Sequence, residues 1–201
     1  MNYLHRVPGR PAHPFLKQEF KYQLEMVRPL SAGFEEVRAL PEGYSLRQFR
    51  DEDERQYDEL FHLAFEDKDR FSETRKRALD GGFFVIEHLA SSQLVASCVA
   101  MAGGSSPRHP EAGQLGWLVT DPSHTRKGLG TIVSVSATNR LAAEGYPQPF
   151  LGTEDDRLAA ISIYLSLGWR PCTYLTGMEQ RWRNIFARLG RVFEPVQSDK
   201  G

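Results

Sequence analysis

Apolar positions follow a helical period in the first part of the chain and change to short runs further on. Between residues 51 and 67, the apolar positions recur at helical spacing, at Tyr57, Leu60, Phe61, Ala64 and Phe65. Acidic residues crowd the first turn of this stretch, so it predicts an amphipathic helix. A second helix is predicted over 71–80, with Ser72 as its cap and with Gly81 and Gly82 at its end.

After this second helix, short apolar runs indicate strands. The runs FFVIEHL and LVASCVAMA are separated by ASSQ and predict a hairpin, and QLGWLVT predicts a further strand. A helix ended by Gly145, a strand at PFLGTE, a helix closed by Gly168 and a last strand at WRPCTYL follow in turn. With a short strand around Tyr44, the order is strand, two helices, three strands, helix, strand, helix, strand. A terminal helix is predicted at MEQRWRNIFARLG.

The first 42 residues are irregular and rich in proline, so they predict an N-terminal arm rather than part of the domain. We expect residues 1–14 to be mobile or to lie along the surface, and FKYQLEMVRPL to form a strand or an ordered lead-in. The compact domain is predicted over residues 43–176, followed by a C-terminal helix and tail over 177–201.

Composition and charge exclude several classes of protein. The chain has 201 residues with 25 basic and 26 acidic side chains, which argues against a dedicated nucleic-acid binder. Its two cysteines form no CxxC pair, so we expect neither a metal site nor a disulfide framework. No apolar run reaches the roughly 20 residues of a membrane span, and no signal peptide precedes the arm. The sequence therefore predicts a soluble, cytoplasmic protein with no membrane partner.

One short stretch carries specific chemistry. In DPSHTRKGLGTIV, residues 121–133, Gly128 and Gly130 lie between a predicted strand and a predicted helix. The free amides of a first helical turn bind anions, and Arg126 and Lys127 add positive charge, which favours a phosphate site. A glycine-lined connector with solvated basic residues is the alternative. The stretch lacks the Walker A pattern, and Val133 replaces the third glycine of a dinucleotide fingerprint, so both nucleotide interpretations are weak.

WLVTDPSHTRKGLG resembles the acetyl-coenzyme A motif of the GCN5-related N-acetyltransferase (GNAT) superfamily, R/Q-x-x-G-x-G/A between a strand and a helix. Gly128 and Gly130 match its two small positions, and Thr125 replaces the leading Arg or Gln. This replacement removes one side-chain contact and leaves the backbone amides.

A second match follows. RLAAISIYLSLGW is similar to the family pattern N-x-x-A-x-x-x-Y-x-x-x-G-F through Ala160, Tyr164, Gly168 and Trp169. Arg157 stands where Asn is usual, which puts that contact to the cofactor in doubt. The resemblance covers about two thirds of the chain.

The resemblance implies an α/β (α+β) fold, with a mixed central sheet of about six or seven strands flanked by helices. It implies an acetyl-CoA-dependent N-acyltransferase that moves an acetyl group to a small-molecule or peptide amine by direct transfer in a ternary complex. A catalytically idle domain that binds coenzyme A as a sensor or interaction module is the alternative. The acceptor is left open, and the chain is expected to be a monomer or a homodimer.

The resemblance also implies where the cosubstrate binds. A β-bulge is expected within Leu118, Val119 and Thr120, whose main-chain groups would bind the pantetheine arm. Ordinary strand packing is the alternative for Leu118 and Val119. The pyrophosphate would lie on the turn, at Thr125, Arg126, Lys127, Gly128, Leu129, Gly130 and Thr131.

The candidate general acid implied by the resemblance is Tyr164, which would protonate the leaving thiolate; an aromatic packed in the helix–sheet interface is the alternative. Glu154 is the candidate general base, with Asp155 or Asp156 as substitutes. Helix capping and complementarity to the helix dipole are the favoured alternative for these three acids. Glu111 is a weaker candidate for the base. His124 and Cys172 are expected to pack rather than to react.

Overall fold

A computed structural model of the chain describes residues 23–65 and 70–194. Its strands are β1 (Leu24–Val27), β2 (Tyr44–Gln48), β3 (Ala78–His88), β4 (Gln93–Met101), β5 (Gln114–Thr120), β6 (Phe150–Thr153) and β7 (Arg170–Pro171). Its α-helices are α1 (Glu54–His62), α2 (Arg70–Arg77), α3 (Leu129–Ala143), α4 (Leu158–Ser166) and α5 (Met178–Arg188). The predicted order of elements from residue 44 onward is therefore observed.

The seven strands form one open sheet in the order β2-β3-β4-β5-β6-β1-β7. All neighbouring pairs are antiparallel except β5 and β6, which run parallel. A parallel pair needs a crossover connection, and α3 supplies it. The mixed, helix-flanked sheet implied by the resemblance is confirmed.

The strand β1 lies inside the sheet although its residues fall within the predicted arm. It is antiparallel to β6, with Leu24 opposite Thr153, and antiparallel to β7, with Met26 opposite Pro171. Leu24 and Met26 are fully buried. The expected strand in FKYQLEMVRPL is thus present, and it belongs to the main sheet. Residues 1–22, which include the predicted mobile segment, lie outside the described part of the chain, and the domain limits stay a prediction.

Each face of the sheet carries its own core. Helices α3, α4 and α5 cover one side, which we call the α3 face, and pack on side chains such as Ala96, Leu115 and Leu151. Helix α1 covers the opposite side over β3, β4 and β5, which we call the α1 face, and packs on Val85 and Val99. The alternation of side chains along each strand sends successive residues to these two cores.

Helix α2 is shorter than the sequence predicted. It ends at Arg77, and residues 78–82 extend β3 instead of reaching Gly81 and Gly82 as helix. The Arg77 carbonyl accepts a hydrogen bond from the Ala102 amide at 2.7 Å, which ties this junction to the end of β4. The pairing of Ala78 with Met101 outweighs the helix propensity of the sequence RALD.

The last strand is also shorter than predicted. Of WRPCTYL, only Arg170 and Pro171 pair in the sheet, as β7. Helix α5 then packs against the α3 face through Trp182, whose indole N–H donates to the Cys172 carbonyl at 3.0 Å. Trp169 is likewise buried and donates to the Thr138 hydroxyl at 3.3 Å.

Candidate active site

The turn before α3 exposes backbone N–H groups. Gly128 is the N-cap of α3 with φ +78°, and Arg126 also has a positive φ of +61°. The first hydrogen bond of the helix runs from the Ile132 amide to the Gly128 carbonyl, at 3.1 Å. The amides of residues 129–131 precede that bond, so they and the positive end of the helix dipole are available to an anion. We call residues 125–131 the cradle.

Gly130 lets the cradle sit close to the sheet. A Cβ added at Gly130 would lie 3.1 Å from the Thr120 Oγ1 atom and 3.5 Å from the Ile163 side chain. Gly128, in contrast, faces open space and is required for its left-handed backbone. The two glycines therefore have different roles: Gly130 allows close packing, and Gly128 allows the left-handed backbone conformation.

Side chains on both sides fix the turn. Asp121 accepts from the Ser123 amide at 2.8 Å; burial alone would raise the pKa of Asp121, but its bonds with Ser123 lower it on balance. His124 packs edge-on against Tyr44 and shares a 2.8 Å hydrogen bond with its hydroxyl. Thr125, Arg126 and Lys127 are exposed, and the Thr125 hydroxyl donates to the Pro122 carbonyl at 3.1 Å.

A bulge interrupts β5, one residue earlier than expected. Ser97 pairs with Val119 and Val99 pairs with Gly116, so Trp117 and Leu118 together face one residue of β4. Trp117 adopts φ +57°, which is rare for a bulky residue and marks a strained, specified backbone. The expected bulge within 118–120 is therefore corrected to Trp117 and Leu118.

Strands β5 and β6 separate after a single paired position. Gln114 pairs with Phe150, and no further pairing joins the two strands in the described residues. The backbone groups of β5 that face β6 beyond this point have no strand partner. The splay thus leaves a slot whose wall can bind an extended chain as an added strand.

Tyr164 lies in the interface between α4 and the sheet. It is buried, and its ring meets that of Trp169 at 6.5 Å. Burial raises the pKa of the hydroxyl, the nearby Cys98 thiol raises it further, and Arg157 opposes the rise. The hydroxyl therefore stays protonated throughout the neutral range.

Glu154 follows β6 at the open side of the slot. It accepts a hydrogen bond from Gln23 Nε2 at 3.0 Å. Burial raises the pKa of Glu154 above its usual value, against the opposing effect of Gln23. A raised pKa makes the carboxylate a better proton acceptor.

The other acids of this segment are arranged differently. Asp155 forms an ion pair with the buried Arg181 of α5, at 2.5 Å, and so links α5 to the end of β6. Arg157 is the N-cap of α4, and its own side chain makes no capping hydrogen bond. The explanation of Glu154, Asp155 and Asp156 by capping and the helix dipole stays a prediction.

Arg157, where the family has Asn, turns toward α1. Its Nη2 atom donates to the Ala64 carbonyl at 2.7 Å, and its guanidinium lies 4.2 Å from the centroid of the Phe65 ring. Phe65 in turn meets Trp117 edge-on at 5.2 Å. Arg157 thus joins the start of α4 to the segment after α1, across the end of the slot on the α1 face.

The sequence patterns did not indicate Trp117 and Gln23 as parts of this region. Trp117 matched only a strand pattern, and nothing in the sequence signals its positive φ. Gln23 belongs to the predicted arm and reaches Glu154 only through the pairing of β1 with β6.

The remaining candidates lie apart. Glu111 is exposed in the loop between β4 and β5. Cys172 is half-buried beyond β7; burial raises the pKa of its thiol to about 11, so it is no nucleophile at neutral pH. Among residues 23–65 and 70–194, no group of three or more His, Cys, Asp or Glu side chains is arranged to hold a metal ion. None of the helices in those ranges is long and apolar enough to span a membrane.

Three features together are typical of the acetyltransferase fold. They are the order of the strands, the separation of β5 from β6 after the crossover helix α3, and the glycine turn before that helix. A family model described as "Acetyltransferase (GNAT) family" matches residues 44–169. The chain belongs to this family.

Relatives of known structure share the fold. A GCN5-related N-acetyltransferase from Sphaerobacter thermophilus has a TM-score of 0.59 at 19% identity, over 74% of this chain and 48% of that one. A tandem GNAT protein from the clavulanic acid biosynthesis pathway has a TM-score of 0.57 at 18% identity, over 74% and 49%. The chain therefore spans about half the length of these structures.

A curated protein also matches in part. The chain is 31% identical over 68 residues to mycothiol acetyltransferase from Nocardioides sp. (strain ATCC BAA-499 / JS614). This match covers 34% of the chain and 23% of that protein.

Proposed function

We propose that the chain is an N-acetyltransferase that uses acetyl-CoA and transfers the acetyl group directly to a primary amine in a ternary complex. The observation that carries the proposal is the junction of the cradle with the slot between β5 and β6. A phosphate bound on the cradle would leave an attached extended arm next to the unpaired edge of β5. Acetyl-CoA combines these two chemical features and supplies the activated acetyl group.

The cradle and β5 would bind by main chain. The free amides of residues 129–131, with Arg126 and Lys127 beside them, suit a pyrophosphate. Leu118, Val119 and Thr120 would bond the pantetheine amides along the slot. The bulge at Trp117 and Leu118 turns a peptide unit out of the ladder, so its N–H would stabilise the oxygen that gains negative charge during transfer.

Glu154 would accept the proton that the attacking amine must lose. Its raised pKa suits this role, and its position after β6 puts it at the open end of the slot. As the new carbon–nitrogen bond forms and the carbon–sulfur bond breaks, the proton from nitrogen passes to the carboxylate, directly or through water. Asp155, held by Arg181, is less suited.

Tyr164 would protonate the departing sulfur. A free thiol has a pKa of about 8.5, so a buried tyrosine would be a weak acid toward it. Burial raises the pKa of the Tyr164 hydroxyl, so the hydroxyl carries its proton at neutral pH and could give it to the thiolate as the carbon–sulfur bond breaks.

The test combines binding with turnover. Acetyl-CoA at 100 times its dissociation constant should stabilise the protein by roughly 2.7 kcal/mol, and ATP and NAD should not. Gly128→Val should abolish the thermal shift because it strains the cradle. Gly145→Val is the matched control, since Gly145 also has a positive φ and open space around it. Both variants lose about 1–2 kcal/mol of backbone stability, and only the first should lose the acetyl-CoA response.

Turnover separates the enzyme from the idle domain. Release of free thiol from acetyl-CoA should be measured against a broad panel of amines, amino acids and peptides. Binding without thiol release for every acceptor would support a coenzyme A sensor or interaction module. Stabilisation by ATP or NAD instead of acetyl-CoA would contradict both.

A further inference from the structure

Two side chains of β4 hold the bulge of β5 from opposite faces of the sheet. Ser97 is fully buried and lies two residues before Val99, which belongs to the α1 face, so it faces the same side. Its hydroxyl donates to the Trp117 carbonyl at 3.4 Å. Cys98 lies on the α3 face, and its thiol donates to the Gly116 carbonyl at 3.5 Å. The carbonyls of two successive residues are therefore both held from the side of β4.

The direction of these carbonyls fixes the direction of the amides that follow them. In a planar trans peptide the C=O and N–H bonds point in opposite directions, and no peptide bond among the described residues is cis. Because β5 lies between β4 and β6, an N–H opposite a carbonyl that β4 holds points toward the slot. The Trp117 and Leu118 amides therefore both face the slot, whereas successive amides of a regular strand face opposite neighbours.

Trp117 needs this support because its backbone is strained. Its φ of +57° lies in the left-handed region, which a bulky residue keeps only where the surrounding structure holds it. Successive amides around a left-handed residue form a concavity that suits an anion. Loss of the Ser97 hydroxyl removes the side-chain bond that keeps the peptide unit between Trp117 and Leu118 from rotating out of this arrangement.

We propose that Ser97 is a positioning residue of acetyl transfer, whose hydroxyl keeps the Leu118 amide directed at the thioester oxygen. The inference rests on the proposed function. When the amine nitrogen adds to the thioester carbon, an electron pair of the C=O bond moves to oxygen, and the amide stabilises the negative charge there. The pair returns as the carbon–sulfur bond breaks; the nitrogen loses its proton to the base, and the departing thiolate takes one from the acid. Ser97 touches none of these atoms and acts only through the peptide unit that it holds.

Ser97→Thr and Ser97→Val test this role, because their side chains have nearly the same size and only threonine keeps a hydroxyl. With the amine that gives the fastest thiol release in the wild type, kcat of Ser97→Val should be about tenfold below that of Ser97→Thr. This loss is smaller than the roughly 10²–10³-fold effect of deleting an oxyanion donor, since the Leu118 amide is loosened and not removed. Coenzyme A has no acyl oxygen, so its affinity, measured by calorimetry, should agree within about twofold between the two variants.

Infrared spectroscopy of bound acetyl-CoA, isotope-labelled at its thioester carbonyl, gives a second measurement that needs no acceptor. A hydrogen bond to that oxygen lowers the C=O stretching frequency, which should therefore be lower in the wild type and Ser97→Thr than in Ser97→Val. Ser136→Ala is the matched control, because Ser136 is also buried and its hydroxyl donates to the Ile132 carbonyl of α3 at 3.0 Å. This control should leave both kcat and the carbonyl frequency unchanged.

The outcomes separate the two proposals. Equal kcat and equal carbonyl frequency in Ser97→Thr and Ser97→Val would overturn the role of Ser97 and leave the proposed function standing. Parallel losses of turnover and coenzyme A affinity in Ser97→Val would also overturn that role, because they would show a general distortion of the slot. A wild-type protein that releases no thiol with any acceptor would overturn both proposals. If the larger side chains prevent folding, as judged by circular dichroism, Ser97→Ala against the wild type decides by the same measurements.

Discussion

At the scale of single residues, burial decides which groups have usable proton chemistry. Tyr164 and Cys98 lie on the α3 face of the sheet, and burial raises the pKa of each. Glu154 lies at the edge of the same region. Burial raises its pKa, and the hydrogen bond from Gln23 only partly offsets that rise. The proposed acid and base therefore differ in how much solvent they reach, and substitution can separate them.

Tyr164→Phe keeps the ring and removes only the hydroxyl. If that hydroxyl protonates the leaving thiolate, turnover should fall roughly 10²-fold while the melting temperature and coenzyme A affinity stay nearly unchanged. Steady-state kinetics with acetyl-CoA, together with a thermal melt, measure both quantities on one protein. Full turnover with a lowered melting temperature would show that Tyr164 only packs.

The pH dependence of kcat/KM should reflect the ionisation of Glu154. Because the folded pKa of Glu154 is raised, kcat/KM should fall on the acid side at a pH above the usual range of glutamates. Gln23→Leu removes the bond that favours the carboxylate, so it should move this acid limb to still higher pH. The same profile for Glu144→Gln is the control, since Glu144 is exposed just after the end of α3 that lies away from the cradle. An acid limb that does not move in Gln23→Leu argues against Glu154 as the base.

The spacing of the motif identified the two glycines of the turn, whose roles depend on the local backbone conformation and packing. Gly128 has the positive φ of a helix N-cap, and Gly130 has no room for a side chain. Trp117 could not be found in this way, because tryptophan is a poor residue for φ +57° and its strain is imposed by the register of β4 and β5. The bulge was therefore expected one residue too late.

At the scale of elements, a partly buried ion pair fixes the start of α1 to the edge of the sheet. Arg47 of β2 holds both oxygens of Asp53, at 2.6 and 2.8 Å, and also pairs with Glu87 of β3. Burial alone would raise the pKa of Asp53, but the bonds from Arg47 and the Arg50 amide lower it on balance. This junction sets the direction in which α1 leaves the sheet toward the slot.

Asp53→Asn should cost about 2 kcal/mol of unfolding free energy, since it removes a buried carboxylate that accepts two hydrogen bonds from the half-buried Arg47. The folded pKa of Asp53 is below its unfolded value, so its contribution is present above the unfolded pKa of about 3.9 and is lost as the pH falls through the folded pKa. The difference in unfolding free energy between wild type and Asp53→Asn, measured by urea titration, should therefore be smaller at pH 3 than at pH 7. Asp58→Asn, a surface change on the same helix, should cost under about 1 kcal/mol.

Elements with their own periodicity were predicted well, and elements defined by pairing were not. Helix α1 and the hairpin of β3 and β4 were expected from their apolar patterns and are present. The end of α2 and the length of β7 depend on which distant strand lies beside them, as Ala78 opposite Met101 shows. Local sequence does not contain that information.

At the scale of the whole molecule, a strand from before the family region completes the sheet. Strand β1 lies between β6 and β7. The connection over residues 28–43, which we call the strap, leads from β1 across the α3 face to β2, and Glu35 of the strap is bonded to Asn139 of α3. The sequence indicated an ordered segment at this point but could not place it, because its partners are more than 120 residues away. The sheet, the slot and the contact of Gln23 with Glu154 all depend on this insertion.

Met26→Ala should therefore destabilise the whole molecule, although residue 26 lies outside the family match. Met26 is fully buried, and loss of its side chain should cost about 2–5 kcal/mol. Val37→Ala in the strap, where the side chain is 43% exposed, should cost no more than about 0.5 kcal/mol. Equal losses for the two variants, measured by denaturant unfolding, would show that β1 is not part of the cooperative core.

The position of β1 has a consequence for synthesis on the ribosome. Residues 24–27 are translated more than 120 residues ahead of their partners at 150–153 and 170–171. At about 5–20 residues per second, β1 waits roughly 7–30 seconds before it can pair. During that interval its apolar residues must stay soluble or be held by a chaperone, and the hairpin of β3 and β4 can form without them. The sheet should therefore be completed only after β7 has left the exit tunnel.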